Sequence, residues 1–130
     1  MRHLLDVNVL LALGIWEHKH HARVSNWLAA LADPVLLTCA ITELGFVRIA
    51  SQTGLYGYTV DDAKALLAGL KRSSQYRFEL IDDGLGAASL PGWVKNAGET
   101  TDGHLLELAR EHGADLATLD GRIPGASLIL

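Results

Sequence analysis

Short apolar runs alternate along this chain with longer stretches in which apolar residues recur every three or four positions. The short runs are typical of strands buried on both faces of a sheet, and the longer stretches are typical of amphipathic helices. The runs at 4–5, 35–38, 77–81, 116–119 and 127–130 are the predicted strands. Because strands and helices alternate, the pattern predicts an α/β sandwich with a central, mainly parallel sheet.

The helical stretches are bounded by residues that commonly start and stop helices. We predict helices over 9–16, 17–32, 41–51 and 63–70, a short one over 85–90, and one that carries Asp102. Pro34 ends the second of these, and Thr59 is placed to cap the fourth, with acids in its first turn. Thr100 and Thr101 are expected to cap the helix of Asp102, which Gly113 would end.

Composition is that of one globular domain spanning 1–130, with 49% hydrophobic and 20% charged residues. The single cysteine, Cys39, excludes an intramolecular disulfide and fits a reducing compartment. Asp6 and Asn8 interrupt the apolar N-terminal run, so it is a poor signal peptide, and no other run is long enough to cross a membrane. We therefore expect a cytoplasmic protein without membrane contact.

Four acidic residues stand where a predicted strand ends or a predicted helix begins: Asp6, Glu43, Asp102 and Asp120. Asp6 is the most informative, because a charge inside an aliphatic run is costly unless it is paired or binds a metal. The carboxyl ends of parallel strands meet at one edge of a sheet, so the four side chains are expected to converge there. Clustered carboxylates favour Mg²⁺ or Mn²⁺, which support phosphodiester hydrolysis.

The net charge of −4 argues weakly against a nucleic-acid partner, because phosphates are usually contacted by Lys and Arg. The excess of fifteen acidic over eleven basic residues equals the number of acids in the predicted cluster. Cations bound at that cluster would therefore offset the excess.

Two other functions fit the same acids. In a non-catalytic α/β protein-interaction module they would be ordinary helix-cap and turn residues, and the apolar helices would bind a partner. In a phosphatase or phospho-acceptor domain Asp6 would be the nucleophile, although Asn8 in place of a second acid weakens that interpretation.

Four segments, taken together and in order, resemble the PIN-domain ribonucleases, and most closely the VapC-type toxins of bacterial toxin–antitoxin pairs. They are LLDVNVLLAL at 4–13, TELGFVR at 42–48, TDGHLLELA at 101–109 and LATLD at 116–120. The resemblance implies a three-layer α/β/α fold and endonucleolytic cleavage of RNA. It also implies a catalytic, metal-binding site of Asp6, Glu43, Asp102 and Asp120 around Mg²⁺ or Mn²⁺.

The resemblance further assigns supporting roles to three polar residues. Asn8 is expected to hold the site carboxylates by hydrogen bonds, Thr101 to cap or steady the helix of Asp102, and Thr118 to help in the same way. Gly103 departs from the alanine expected after the third acid, and a glycine there lowers helix propensity by roughly 1 kcal/mol. The expected partners are RNA, a cognate antitoxin and a second copy of the chain. The apolar helix residues at 47–49 and 63–70 are expected to form a groove for an antitoxin helix or for the second copy.

Aromatic and basic residues outside these segments could contact RNA. Of the three tryptophans, Trp27 fits a helix core face, whereas Trp93 lies in a glycine-rich stretch and is the better candidate for base stacking. Arg48, Lys71 and Arg72 are candidates for phosphate contacts, but solvated surface charge is the default interpretation.

Overall fold

Five parallel strands form the central sheet of the computed structural model, which describes residues 1–73 and 75–130. The strands are β1 (Arg2–Leu5), β2 (Val35–Thr38), β3 (Arg77–Leu80), β4 (Asp115–Thr118) and β5 (Ser127–Leu128). Their order across the sheet is β3-β2-β1-β4-β5, and all four pairings within the described residues are parallel. The predicted parallel sheet is therefore confirmed.

Five helices connect or follow the strands: α1 (Val7–Gly14), α2 (His21–Ala29), α3 (Ala40–Ala50), α4 (Val60–Lys71) and α5 (Thr100–Glu111). The predicted helix over 17–32 is too long at both ends. It begins late because the chain turns after α1, where the His18 amide donates to the Ile15 carbonyl and the His21 amide donates to the His18 carbonyl. The predicted helix over 85–90 is a single 3-10 turn, Ala87–Ser89. No described helix combines the length and apolarity that crossing a membrane requires.

The sheet is covered on both faces, which confirms the three-layer α/β/α fold. Leu5, Leu36 and Ala117 face a core shared with α1 to α4, whereas their strand neighbours face a second core built on α5. Those neighbours are Leu4, Leu37 and Leu116, and all six side chains are buried. Burial on both faces explains why the inner strands are continuous apolar runs.

The two predicted helix caps have different outcomes. Thr59 caps α4 as expected, since its hydroxyl accepts from the Asp62 amide at 3.0 Å and its amide donates to Asp62 at 2.9 Å. Neither Thr100 nor Thr101 caps α5, because both lie inside the helix, and the Thr100 hydroxyl donates to the Ala97 carbonyl at 2.9 Å. A second 3-10 turn, Ala97–Glu99, runs directly into α5 and is itself capped by Asn96. The predicted capping role of Thr101 is therefore wrong, because the helical path begins several residues earlier.

Gly103 lies where the glycine-rich segment packs on α5. A Cβ added to this buried residue would lie 2.4 Å from Cγ2 of Val94 and 3.2 Å from Cδ of Pro91. These separations are too short for carbon contacts. The missing side chain therefore lets the 91–94 segment approach α5, which explains the glycine at a position where we expected alanine.

We predict that Gly103→Ala destabilises the protein by about 1–3 kcal/mol, because the overpacked methyl group outweighs the roughly 1 kcal/mol helix-propensity advantage of alanine. Urea denaturation measures the change. Gly69→Ala is the matched control, since Gly69 is in α4 and an added Cβ meets nothing within 4 Å. That variant should be stabilised by up to about 1 kcal/mol, and equal stabilisation of both variants would contradict the packing argument.

Candidate active site

The candidate site lies at the carboxyl edge of the sheet, where β1 pairs with β2 on one side and with β4 on the other. In open parallel sheets this change of direction leaves a crevice in which ligands bind. Asp6 directly follows β1, and Asp120 follows β4 by two residues. Both predicted acids are therefore at the expected edge, on adjacent strands.

Asp6 is fixed by the register of β1 on β4. The pairing of Leu5 with Ala117 continues by one step, so that Asp6 lies beside Thr118. One Asp6 carboxylate oxygen accepts from the Val7 amide at 2.7 Å, and the other accepts from the Thr118 hydroxyl at 2.7 Å. Asp6 is only 7% exposed, so both bonds compensate a buried charge.

The Thr118 hydroxyl is hydrogen-bonded to three residues of the site. It donates to Asp6 and also accepts from the Asp120 amide at 3.0 Å and from the Asn8 side-chain amide at 3.4 Å. Asn8 in turn accepts from the Leu119 amide at 3.2 Å. Asn8 therefore holds Thr118 and the end of β4, and it supports the carboxylates through Thr118 instead of by the direct hydrogen bonds we expected.

The three aspartates interact electrostatically. Burial raises the pKa of Asp6, and the Asp120 charge raises it further, against the opposing hydrogen bonds from Thr118 and Val7. Burial also raises the pKa of Asp102, and the charges of Asp6 and Asp120 add to this increase. Asp102, at the start of α5, lines one cavity together with Asp120. The structure therefore places Asp102 beside Asp120, and Asp6 and Asp120 at the ends of adjacent strands.

Arg122 is a site residue that the sequence analysis missed. Its guanidinium binds the Asp120 carboxylate through Nε at 2.9 Å and a terminal nitrogen at 3.0 Å, and its backbone amide donates to the same carboxylate. These hydrogen bonds lower the pKa of Asp120. The only sequence signal was the spacing of two residues between acid and arginine across an Asp-Gly turn.

Glu43, the fourth predicted acid, is bound by two protein partners. One of its carboxylate oxygens accepts from Lys71 Nζ and from the buried Thr38 hydroxyl, both at 2.6 Å. Lys71, a candidate for phosphate contact, is thus paired with an acid on the β2 side of the site.

The four predicted ligands are all carboxylates, which is the ligand chemistry of Mg²⁺ and Mn²⁺. Within 1–73 and 75–130, no three His, Cys, Asp or Glu side chains are arranged so that they could hold an ion together. Asp6, Asp120 and Glu43 each point at a protein donor. The carboxylates therefore have the chemistry and charge that a divalent ion requires. In this structure, however, the side chains of Asp6, Asp120 and Glu43 are oriented toward protein donors.

We predict that Thr118→Val destabilises the protein by about 1–3 kcal/mol, because Asp6 and the Asp120 amide both lose a hydrogen-bond partner. The pKa of Asp6 should rise further. A folded-state pKa above the unfolded value costs stability as pH rises through that interval. The loss in Thr118→Val should therefore be larger at about pH 7 than at about pH 4 in urea denaturation.

Thr101→Val is the matched control for this experiment, because Thr101 is exposed and makes no cap. Its stability should remain within about 0.5 kcal/mol of the unmodified protein at both pH values. A loss in Thr118→Val that is the same at both pH values would show that the hydroxyl does not set the pKa of Asp6.

Comparison with known proteins identifies a family and several relatives that match this chain. The family model for the PIN domain matches residues 3–127. Ribonuclease VapC38 of Mycobacterium tuberculosis is 37% identical over 122 residues, covering 92% of this chain and 86% of its own. Ribonuclease VapC39 of the same organism is 36% identical over 127 residues, covering 95% and 91%.

Solved structures share the fold over almost the full length. VapC20 of Mycobacterium tuberculosis, described as a sarcin–ricin loop cleaving toxin, has a TM-score of 0.64 at 16% identity and covers 93% of this chain and 92% of its own. VapBC2 from Rickettsia felis, bound to a DNA fragment from its promoter, has a TM-score of 0.66 at 18% identity, with coverage of 98% and 97%.

Proposed function

This chain belongs to the PIN-domain family, and we propose that it is a metal-dependent endoribonuclease, the toxin of a toxin–antitoxin pair. The VapC relatives, which are named ribonucleases and match over most of their length, confirm the resemblance found in the sequence. The observation that carries the proposal is the position of Asp6 and Asp120 at the carboxyl ends of the adjacent strands β1 and β4, with Asp102 lining one cavity together with Asp120.

In this proposal Asp6, Asp102 and Asp120 hold the metal, and Glu43 joins them from the β2 side. Bound Mg²⁺ or Mn²⁺ would stabilise the charge on the phosphodiester and lower the pKa of an attacking water. Thr118 and Asn8 orient the Asp6 carboxylate through the hydrogen bonds described above. Such supporting residues commonly matter to metal affinity nearly as much as the ligands.

Two cations flank the carboxylates and would contact RNA phosphates on either side. Lys71 lies on the β2 side, beside Glu43, and Arg122 follows β4, beside Asp120. Lys and Arg supply most of the sequence-independent affinity for nucleic acids. The net charge of −4 argued against a nucleic-acid partner. That objection weakens because these two cations lie beside the acids, where a phosphate would bind. A cytoplasmic location agrees with RNA as the substrate.

We also propose an antitoxin partner, following the VapBC2 complex. A groove of about 710 Å³ lies between α1 and α4, and its apolar lining includes Leu13, Leu66 and Leu70. An apolar groove between helices suits an amphipathic helix. Leu66 and Leu70 belong to the apolar helix that the sequence analysis selected for this role, whereas Ala63 and Leu67 are buried in the core.

A homodimer is the second proposed assembly, and an exposed apolar surface on α3 and α4 supports it. Leu44 is 70% exposed and Val60 is 54% exposed, with Ile41 beside them along a groove of about 670 Å³. Contiguous apolar surface of this kind is typical of interaction sites. The surface is distinct from the α1–α4 groove, so both partners could bind at once.

We predict that the purified protein, freed of partners, cuts labelled total RNA into discrete fragments with Mg²⁺ or Mn²⁺ and leaves it intact in EDTA. Asp6→Asn should lower the cleavage rate by at least about 100-fold, because it removes a metal-binding charge without changing shape. Asp115→Asn is the matched control, since Asp115 is exposed at the opposite end of β4. It should cleave normally.

Urea denaturation would check that Asp6→Asn and Asp115→Asn are both folded. Full cleavage by folded Asp6→Asn would refute the assigned site. Undiminished cleavage in EDTA would refute metal dependence alone. If folded, partner-free protein leaves all RNA intact, the nuclease proposal fails for every RNA present in the sample.

We predict that light scattering finds the protein at twice its chain mass of 14.0 kDa. Leu44→Glu should shift it to the mass of one chain, because a charge buried in an apolar interface is unpaired. Leu55→Glu is the matched control, since Leu55 is 52% exposed outside the α3–α4 surface, and it should remain dimeric. A monomeric unmodified protein would contradict the homodimer.

A further inference from the structure

A cavity of about 310 Å³ opens beside Asp102 and Asp120, and the proposed nuclease chemistry leaves its other walls unexplained. Trp93, Asn96 and Glu99 contribute walls from the segment before α5, and Arg122 contributes one from the turn after β4. Its volume is at the lower end of the range for small-molecule pockets. The cavity therefore has room for one small, flat group next to the catalytic acids.

The aromatic wall is held in place by the core. Trp93 is half-buried and packs against the apolar cluster that α5 forms with β1 and β4. Its neighbours Pro91 and Val94 lie directly on Gly103 of α5, at distances that leave no room for a side chain. The indole is thus packed against the core before any ligand binds, which lowers the entropic cost of stacking.

The polar walls are also fixed. One Glu99 carboxylate oxygen accepts from the Lys95 and Asn96 amides at 2.9 and 3.2 Å. Arg122 is held by its two-nitrogen contact with Asp120, yet 90% of its side-chain surface remains exposed. The rim therefore offers hydrogen-bonding groups to a planar ligand, and a guanidinium plane is available for stacking.

The charges that line the cavity determine which kind of ligand it can bind. Three carboxylates, those of Glu99, Asp102 and Asp120, line the cavity with one arginine, so an anion placed inside would be repelled. A neutral aromatic ring with N–H donors on its edge would meet an aromatic face and carboxylate acceptors instead. An unpaired nucleobase has this chemistry, and its phosphate would remain outside the cavity.

We propose that this Trp93 cavity binds one unpaired nucleobase of the RNA, stacked on the indole and adjacent to the phosphodiester that is cut. The inference rests on the proposed function, because it assigns a substrate contact to the same site. Proteins that read single-stranded RNA commonly stack bases on aromatic side chains and bind the base edges with polar groups. Base pairing would hide those edges, so the site should select single-stranded positions.

Binding can be measured without cleavage in the Asp6→Asn variant with Mg²⁺ and a short single-stranded oligoribonucleotide of mixed sequence. Three tryptophans give three indole N–H signals in an NMR titration. The Trp93 signal, assigned from Trp93→Phe, should shift. The Trp27 signal should not, because that ring packs edge-on against buried His3 with centroids 5.3 Å apart. The same sequence as a duplex should leave Trp93 unshifted.

Variants of Trp93 should change affinity according to their aromatic character. In the Asp6→Asn background, Trp93→Leu should raise the Kd for the oligoribonucleotide about tenfold or more, and Trp93→Phe should restore most of the affinity. Trp16→Leu is the matched control, because Trp16 is 77% exposed and lies in the turn after α1. Its Kd should be unchanged. Urea denaturation would confirm that each variant is folded.

The outcomes separate this inference from the nuclease proposal. If the unmodified protein cuts RNA but the Trp93 signal and the Kd of Trp93→Leu do not change, the cavity inference is overturned and the nuclease stands. If no RNA is cut but Trp93 responds to the single strand, base binding in the cavity stands, and the nuclease proposal fails for every RNA tested. An equal response to the duplex would overturn the requirement for an unpaired base.

Discussion

The hydrogen bond from Thr118 to Asp6 is the interaction on which this site depends. It joins residues 112 positions apart in the chain, and it exists because β1 and β4 pair in a register that ends with Asp6 beside Thr118. A one-residue slip would exchange Leu116 and Ala117 between the two cores, where their different volumes would not fit, so the packing of both cores fixes the register. The same packing that stabilises the sheet therefore sets the position of the first carboxylate. Through the Asp120 amide, the same hydroxyl also fixes the start of the turn that carries the second.

Local structure explains why Asp6 and Asp120 each occupy their positions. It does not explain why these two acids lie near Asp102. Asp6 caps α1, and Asp120 accepts from the Arg122 amide within its turn, as a non-catalytic interaction module would require. Asp102 has its pKa raised by burial and by both of the other acids, and the charge of Arg122 offsets only part of this increase. A divalent cation would offset the remainder. The grouping therefore favours the nuclease over the interaction module, in agreement with the family to which the chain belongs.

The parts of the structure that could be predicted from the sequence are those encoded by neighbouring residues. The buried strands, the Thr59 cap and the exceptional position of Asp6 are visible as local patterns of apolar and polar residues. The Glu43–Lys71 pair could not be predicted, because it joins α3 to α4 across 28 residues. Gly103 appeared to weaken a helix when considered alone. The close contact with Val94 explains the glycine. The sequence alone could not predict that contact, because no sequence pattern records which segment packs on a helix.

Strand spacing accounts for the separation of Glu43 from Asp120. The acids follow three adjacent strands, with Glu43 after β2, Asp6 after β1 and Asp120 after β4. Adjacent strands lie about 4.8 Å apart, so the ends of β2 and β4 are roughly 10 Å apart. Asp6 and Asp120 are thus neighbours, whereas Glu43 is nearer to the α4 lysine than to Asp120. The edge of the sheet consequently presents Lys71 on the β2 side, carboxylates in the middle, and Arg122 beside the Trp93 cavity on the other. An RNA strand lying along this edge would meet a cation on each side of the acids, and the base nearest Arg122 would be the one that reaches the cavity.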